Sequence, residues 1–294
     1  MTTTLRPLTP EQPMPDGGKG RLFAVCVNGR PVGRVTTTAF GGPGPRVGAI
    51  TALGIDPPDR GRGRGTVAAL AAEEVLRGWG CGRVDIEVPE DPEETPGDSA
   101  GQGSPSSRVL RFAGALGYTL RGRNMLKRLP DALPELPPGV AVRPITAEEF
   151  PDWLATESQD YVDLHTRIGF TPEQARAKSD ADHRRMLPFG ADSPRTVLRQ
   201  LESAGQVVGS LWLNTDFGRS PDARPLGWVL DVRVGEPHRG RGHGRALMLL
   251  AERECLDVGL HRLGLNVMVD NAPANALYRS LGYRTFRHTL YKQL

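Results

Sequence analysis

The sequence predicts an α/β (α+β) protein made of two units of one kind, joined in tandem. Three observations carry this. Arg60-Gly61-Arg62-Gly63-Arg64-Gly65 and Arg239-Gly240-Arg241-Gly242-His243-Gly244 are one phrase, Arg-x-x-Gly-x-Gly, written twice. Each copy follows a strand-like run and opens a helix-like run, and the order of elements around it repeats. Between the copies, Leu129–Gly139 holds Pro130, Pro134, Pro137 and Pro138, a semi-rigid linker. A chain of 294 residues also fits two domains of roughly 150 residues each. The expected division is 1–129, a linker at 130–140, and 141–294.

Residues 1–20 are polar, rich in Pro and Gly, and read as a mobile lead-in. Leu22–Val27 and Val32–Val35 flank Asn28-Gly29, a strong hairpin signal because both turn positions need positive φ. Val47–Ile55 leads into the first Arg-Gly turn. Ala68, Ala71, Val75 and Trp79 then recur at helical spacing. Val84, Ile86 and Val88 alternate with Asp85 and Glu87 as a half-buried strand. Pro89 to Ser107 is acidic and rich in Pro and Gly, an insertion without structure of its own. A short helix near Val109–Ala115 and a closing strand from Tyr118 end the first unit.

The second unit begins with helices near Ala147–His165 and Pro172–Met186. A hairpin follows, Thr196–Ser203 and Val207–Leu213, with Gly205 at the turn. Gly227–Val234 runs into the second Arg-Gly turn. The helix behind it places Leu247, Leu250, Ala251, Glu254 and Val258 on one stripe. Leu263, Leu265, Val267 and Val269 alternate as a strand, and a helix near Ala274–Leu281 precedes a final strand from Tyr283.

Charge is nearly balanced, 37 basic against 34 acidic side chains, which does not announce a nucleic-acid-binding protein. Only Lys19, Lys127, Lys178 and Lys292 are lysines; the arginine bias looks compositional. Cys26, Cys81 and Cys255 are odd in number and far apart, neither a disulfide framework nor a metal pattern. No apolar run of about 20 residues exists, and the N-terminus lacks an apolar signal core, so the expectation is a cytoplasmic protein with no membrane or metal partner. A glycine-rich turn between strand and helix brings backbone N–H groups together on a phosphate, and the helix dipole adds positive potential. Arg-Gly repeats can also be nucleic-acid tails, but those are long and disordered, whereas each copy here is one turn.

Strand, Arg-x-x-Gly-x-Gly turn, helix, strand, then Asn271, Ala274, Leu277, Tyr278, Gly282 and Tyr283 together resemble the GCN5-related N-acetyltransferase superfamily (GNAT). The resemblance covers 141–294 fully and about 21–129 more loosely. It implies two mixed, mostly antiparallel twisted sheets flanked by helices, with a parallel pair at the Arg-Gly strand splayed to admit acetyl-CoA. It implies that the N–H groups of Arg241 to Ala246, in the turn Arg239, Gly240, Arg241, Gly242, His243, Gly244 and Arg245, hold the pyrophosphate. Pantetheine would lie along Val232, Arg233 and Val234 like an added strand. Asn271 and Asn275 would face the cofactor from the last helix. Tyr278 would protonate the departing thiolate.

Acetyl transfer needs a neutral amine, and an alkyl ammonium has a pKa of ~10.4, so a base must take the proton. Asp231, in the strand before the turn, is the candidate, although a free Asp near ~3.9 is weak and needs its site to raise it. Asp160, Tyr161 and His165, near the end of a helix, are candidate acceptor contacts. Each role has a plainer alternative: Tyr278 as a core aromatic, Asp231 as an arginine partner, the helix-end residues as solvated groups. His183, His261 and His288 read as surface residues.

Aligned on Gly117-Tyr118 and Gly282-Tyr283, Tyr278 matches Ala113 and Asn271 matches Ser106. The first unit therefore lacks the acid and lacks the two leading helices. Arg60, Gly61, Arg62, Gly63, Arg64 and Gly65 survive as a possible second cofactor site. The expectation is an N-acetyltransferase that moves acetyl from acetyl-CoA to a primary amine of a small molecule or peptide, by direct attack in a ternary complex, because no cysteine sits in a nucleophile context. Alternatives are a mycothiol-synthase-like acetyltransferase, also tandem, and a non-catalytic acyl-CoA-binding module. A monomer or homodimer is expected.

Overall fold

A computed structural model of the chain describes residues 2–42, 44–91, 104–132 and 134–294. The first half contains β1 (Thr3–Pro7), β2 (Gln12–Pro13), β3 (Lys19–Val27), β4 (Arg30–Ala39), β5 (Val47–Ile55), α1 (Arg64–Gly78), β6 (Arg83–Pro89), α2 (Pro105–Ala115) and β7 (Thr119–Arg128). The second contains β8 (Val140–Pro144), α3 (Phe150–Arg167), α4 (Pro172–Met186), β9 (Thr196–Ser203), β10 (Gln206–Asn214), β11 (Gly227–Val234), α5 (His243–Asp257), β12 (Arg262–Met268), α6 (Ala272–Ser280) and β13 (Arg284–Gln293).

Local signals explain most of these. Asn28 and Gly29 turn β3 into β4 with φ of 48° and 81°. Thr171 and Gln174 form a reciprocal capping box that starts α4. The buried stripe of α1 is Ala68, Ala72 and Leu76, one residue round from the predicted one. On α5 the buried acid is Glu252 rather than Glu254, and Val258 is exposed. The lead-in is not free: Thr3–Pro7 pairs antiparallel with β3, from Thr3↔Val27 to Pro7↔Phe23. Leu5 packs there against the first core. Of the acidic insertion, residues 92–103 lie outside the described residues; Pro89 ends β6, and Ser104 caps α2 by accepting from the Ser107 N–H at 3.1 Å. The cap is thus Ser104, two residues before the position aligned with Asn271.

The two halves share one sheet of order β1-β3-β4-β5-β6-β13-β7-β12-β11-β10-β9-β8. The closing strands are exchanged. β13 runs between β6 and β7, and β7 runs between β13 and β12, all antiparallel. The pairs Asn124↔Arg287 and Gly122↔Thr289 interchange under the 165-residue offset, which marks a local two-fold axis between β7 and β13. Each core is completed by the other half's strand. Leu290 of β13 joins Val25, Leu76 and Val84, whereas Met125 of β7 joins Leu211, Leu247 and Leu265.

The exchange is fixed by a reciprocal pair of ionic contacts. Lys127 on β7 reaches Glu252 on α5 at 2.6 Å, beside Tyr283. Lys292 on β13 reaches Glu73 on α1 at 2.7 Å, beside Tyr118. Both glutamates are buried, so each depends on a cation delivered by the opposite half. Two of the chain's four lysines serve here. His288 is likewise inside the fold, its Nε2 2.6 Å from Glu90. His183 is buried as well, stacked on Trp212. Neither is the surface residue that sequence suggested; His261 is exposed.

Candidate active site

Both Arg-Gly turns have one backbone shape. Gly61 and Gly63 have φ of 70° and 69°, and Gly240 and Gly242 have 75° and 86°, a region that favours glycine. The first arginine of each turn donates Nε to the last strand carbonyl, Arg60 to Ile55 at 2.7 Å and Arg239 to Val234 at 3.2 Å. Gly242 opens α5 with no side-chain cap, so the first N–H groups are left for a ligand. Those groups are His243, Gly244 and Arg245. The Ala246 N–H, expected on the pyrophosphate, already donates to the Gly242 carbonyl at 3.0 Å.

Both halves also splay. β11 and β12 pair in parallel only at Gly227↔Leu263, Trp228↔Gly264 and Val229↔Leu265, then part; β5 and β6 do the same after Ala49↔Asp85. A register shift at Trp212/Leu213 in the β10–β11 ladder is matched at Thr36/Thr37 in the β4–β5 ladder. From Leu230 onward the edge of β11 that faces β12 has no strand partner, and Val232, Arg233 and Val234 line it. An extended pantetheine arm fits such an edge.

Side chains separate the halves. At the β11 splay, Arg233 is surrounded by three carboxylates. Its Nη2 meets Glu157 at 2.6 Å, and its Nε meets Asp160 at 3.1 Å and Asp231 at 4.0 Å. Asp231 keeps 28% side-chain exposure, but its Oδ2 atom is buried without a hydrogen-bond partner. Burial raises the carboxyls of both Asp231 and Glu157 above the ordinary range, and carboxylate repulsion adds to it while Arg233 opposes it. The pair therefore binds a proton far more tightly than a free Asp does. Tyr278 is buried, and its hydroxyl is pushed up to about 12 by burial and by the Asp231 charge, which keeps it a proton donor.

Asn271 caps α6, accepting from the Ala274 N–H at 3.2 Å. Asn275 is buried with its amide donating to the Met268 and Asn271 carbonyls and its oxygen accepting from Arg123 of β7. It ties α6 to the exchanged strand. Arg245 donates to Ser280, linking α5 to α6. His243 is buried, 6.4 Å from His238 between ring centres. Of the acceptor candidates, Asp160 joins the Arg233 cluster, whereas Tyr161 donates to Asp182 on α4 and stacks on His165 at 4.0 Å. His165 in turn meets Phe170 edge-on, away from the cluster. Glu157 escaped the sequence reading. Its signal was a carboxylate four residues after Trp153 on the apolar face of α3, where a solvated acid has no place.

At the first splay the matching positions are Ala52, Gly54 and Ala113, for Asp231, Arg233 and Tyr278. The space forms a cavity of about 350 Å³ lined by Ile50, Leu53, Ile86, Val88, Phe112 and Ala113 among others. Asp59, paired with Arg64 and with Arg30 at 2.8 Å, stands at the place of His238.

The acetyltransferase (GNAT) family model matches residues 4–94 and 151–283. The chain belongs to the GNAT acetyltransferase family. A mycothiol acetyltransferase of Nocardiopsis dassonvillei is 30% identical over 278 residues, covering 90% of this chain and 79% of that protein. Another, from Pseudarthrobacter chlorophenolicus, is 31% identical over 158 residues, covering 53% of this chain and 45% of that one. The match thus spans less than half the length of the second relative. A tandem GNAT protein from the clavulanic acid biosynthesis pathway shares the fold, with 18% identity and a TM-score of 0.52 over 96% of this chain and 85% of its own. The chain is therefore an acyltransferase of a family that uses acetyl-CoA, with the tandem form the sequence predicted. Among the described residues no helix is long and apolar enough to cross a membrane.

Proposed function

We propose that the second half transfers acetyl from acetyl-CoA to a primary amine of a small molecule or peptide, by direct attack in a ternary complex. The observation that carries this reading is the asymmetry of the splays at matching positions: the second holds Asp231, Arg233 and Tyr278 where the first holds Ala52, Gly54 and Ala113. The N–H groups of His243, Gly244 and Arg245 hold the pyrophosphate, and Val232 and Val234 hold the pantetheine arm. The amine arrives as an ammonium, attracted by Asp160, and gives its proton to the Asp231–Glu157 pair. Neutral nitrogen then attacks the thioester carbonyl; as the C–S bond breaks, Tyr278 protonates the departing thiolate, and the second proton shed by the new amide nitrogen restores the Tyr278 hydroxyl. The first half, with the same turn but Ala52 and Ala113 in place of Asp231 and Tyr278, holds CoA without transferring from it.

The test is release of free CoA thiol from acetyl-CoA across a set of amines. The names of the relatives make deacetylated mycothiol one acceptor to include. Acetylation of at least one amine, reduced strongly in Glu157→Gln and Asp231→Asn, is the expected result. Tight CoA binding with no turnover on any amine would replace this reading with that of a binding module.

A further inference from the structure

The exchanged strand does more than close the second core. β7 belongs to the first half by sequence, yet it lies beside β12. Arg121, on β7, lines two cavities between the halves, of about 470 and 520 Å³. The smaller one is bounded by Arg121, Arg167 at the end of α3, Leu164, Tyr291 of β13, and Asp270 with Asn271 at the start of α6. α6 carries Tyr278 seven residues on, so this cavity opens roughly 10 Å along the helix from it, at ~1.5 Å per residue.

The charges of this cavity do not cancel. Arg121 is 24% exposed and makes one ion pair, with Asp85 at 3.5 Å. Asp85 is already held by Arg83 at 2.8 and 3.0 Å. Burial lowers the Arg121 guanidinium's proton affinity and the Arg83 charge adds to this, while Asp85 and Glu87 oppose it. Arg167 has no ionic partner among the described residues, and Asp270 is the single acid lining the cavity. The two-fold mate of Arg121, under the 165-residue offset, is Phe286, a buried ring against Trp228. The arginine is therefore not demanded by the fold at this register.

Resting on the acetyl-transfer reading above, we propose that the acceptor is an amine whose far end carries an anionic group, seated on Arg121 and Arg167. A carboxylate, phosphate or sulfate meets the requirement, and the guanidinium fork favours bidentate contact. The half without catalytic groups thereby supplies a specificity residue to the half that has them.

The experiment pairs amines that differ only at the far end: tripeptides and tetrapeptides, long enough at ~3.3–3.6 Å per residue to span the separation, against their C-terminal amides, with acetyl-CoA saturating. The acid member is expected to exceed the amide in kcat/KM by about 10- to 100-fold, the worth of a charge-assisted hydrogen bond. Arg121→Gln removes that preference while leaving the amide's kcat near wild type, and Arg121→Lys restores part of it. Arg167→Gln, at an exposed site, lowers the preference even if Arg121 variants fold poorly. Equal use of acid and amide by the wild type, or an equal loss on both in the variants, overturns the proposal. If no amine is acetylated although CoA binds, the acetyl-transfer reading is what fails. Calorimetric binding of the carboxylate member to the CoA-bound protein then decides the subsite: weakening in Arg121→Gln supports it, and unchanged binding overturns it.

Discussion

The two Arg-Gly turns are nearly superposable in backbone and opposite in chemistry. Both place left-handed glycines at the same steps, both clip the first arginine to the strand carbonyl, and both follow a parallel pair that parts after three residues. Yet one splay ends in Ala52, Gly54 and Ala113, and the other in Asp231, Arg233 and Tyr278. A cofactor cradle is made from backbone and is kept by glycine geometry. Proton transfer is made from side chains and can be lost at three positions without disturbing the cradle. Conserving the first says nothing about the second.

The largest break in this comparison comes from Gly242→Glu. Its φ of 86° and the incoming carboxylate both oppose a bound pyrophosphate. Acetyl transfer should fall below detection, and calorimetry should lose the second-half CoA site, whereas Gly63→Glu should leave turnover intact. Next is Tyr278→Phe, expected to lower kcat by about 10²- to 10⁴-fold with little change in KM. An unchanged kcat would leave Tyr278 as a core aromatic, no different in role from Ala113.

A third test targets the reciprocal lock. Lys127→Met leaves Glu252 buried without its cation, and Lys292→Met does the same to Glu73. Each should cost roughly 3 kcal/mol of stability in denaturant melts. Similar losses from the two variants would show that the halves are equal in architecture while unequal in catalysis.

Smaller is the pH response of the Asp231–Glu157 pair. Their folded pKa values lie above the unfolded ones, so the folded state binds protons more tightly there. Their contribution to stability is present at low pH and is lost as pH rises through the folded values. Activity runs the other way, rising over that window as the base form appears. Glu157→Gln should flatten both profiles, read by thermal melts and by kcat/KM. Smallest is Tyr161→Phe. Its hydroxyl is occupied by the Asp182 carboxylate on α4 and not by the Arg233 cluster, so kcat/KM should stay within about threefold, less than the worth of one hydrogen bond at the reacting centre. A larger loss would bring Tyr161 into the acceptor site.

Much of this was legible in the sequence because it was local. Asn28-Gly29, the paired Arg-Gly turns, the bounds of β5, α4 and β11, and the missing Tyr at Ala113 all follow from short-range rules. What escaped was long-range. Nothing in residues 119–128 or 284–293 alone tells which neighbour each strand takes, since both patterns suit either. The clue was the offset of 165 shared by Lys127 and Lys292, set against the 179 shared by Glu73 and Glu252. Lysine in an arginine-rich chain, with a matching acid on a helix face, is a pairing signal visible only once both copies are compared. Glu157 escaped for the same reason: its partner Arg233 lies 76 residues away.

The exchange of β7 and β13 also has a consequence for how the chain is made. A ribosome releases the first half in order, but the edges of β6 and β7 stay bare until residues 284–293 arrive. At ~5–20 residues per second, that is a wait of roughly ten seconds or more. Through that interval Glu73 has no counter-charge, and two strand edges are open to wrong partners. The nascent first half is therefore expected to be sensitive to proteases and chaperones until the last strand seats, and its maturation depends on finishing the chain.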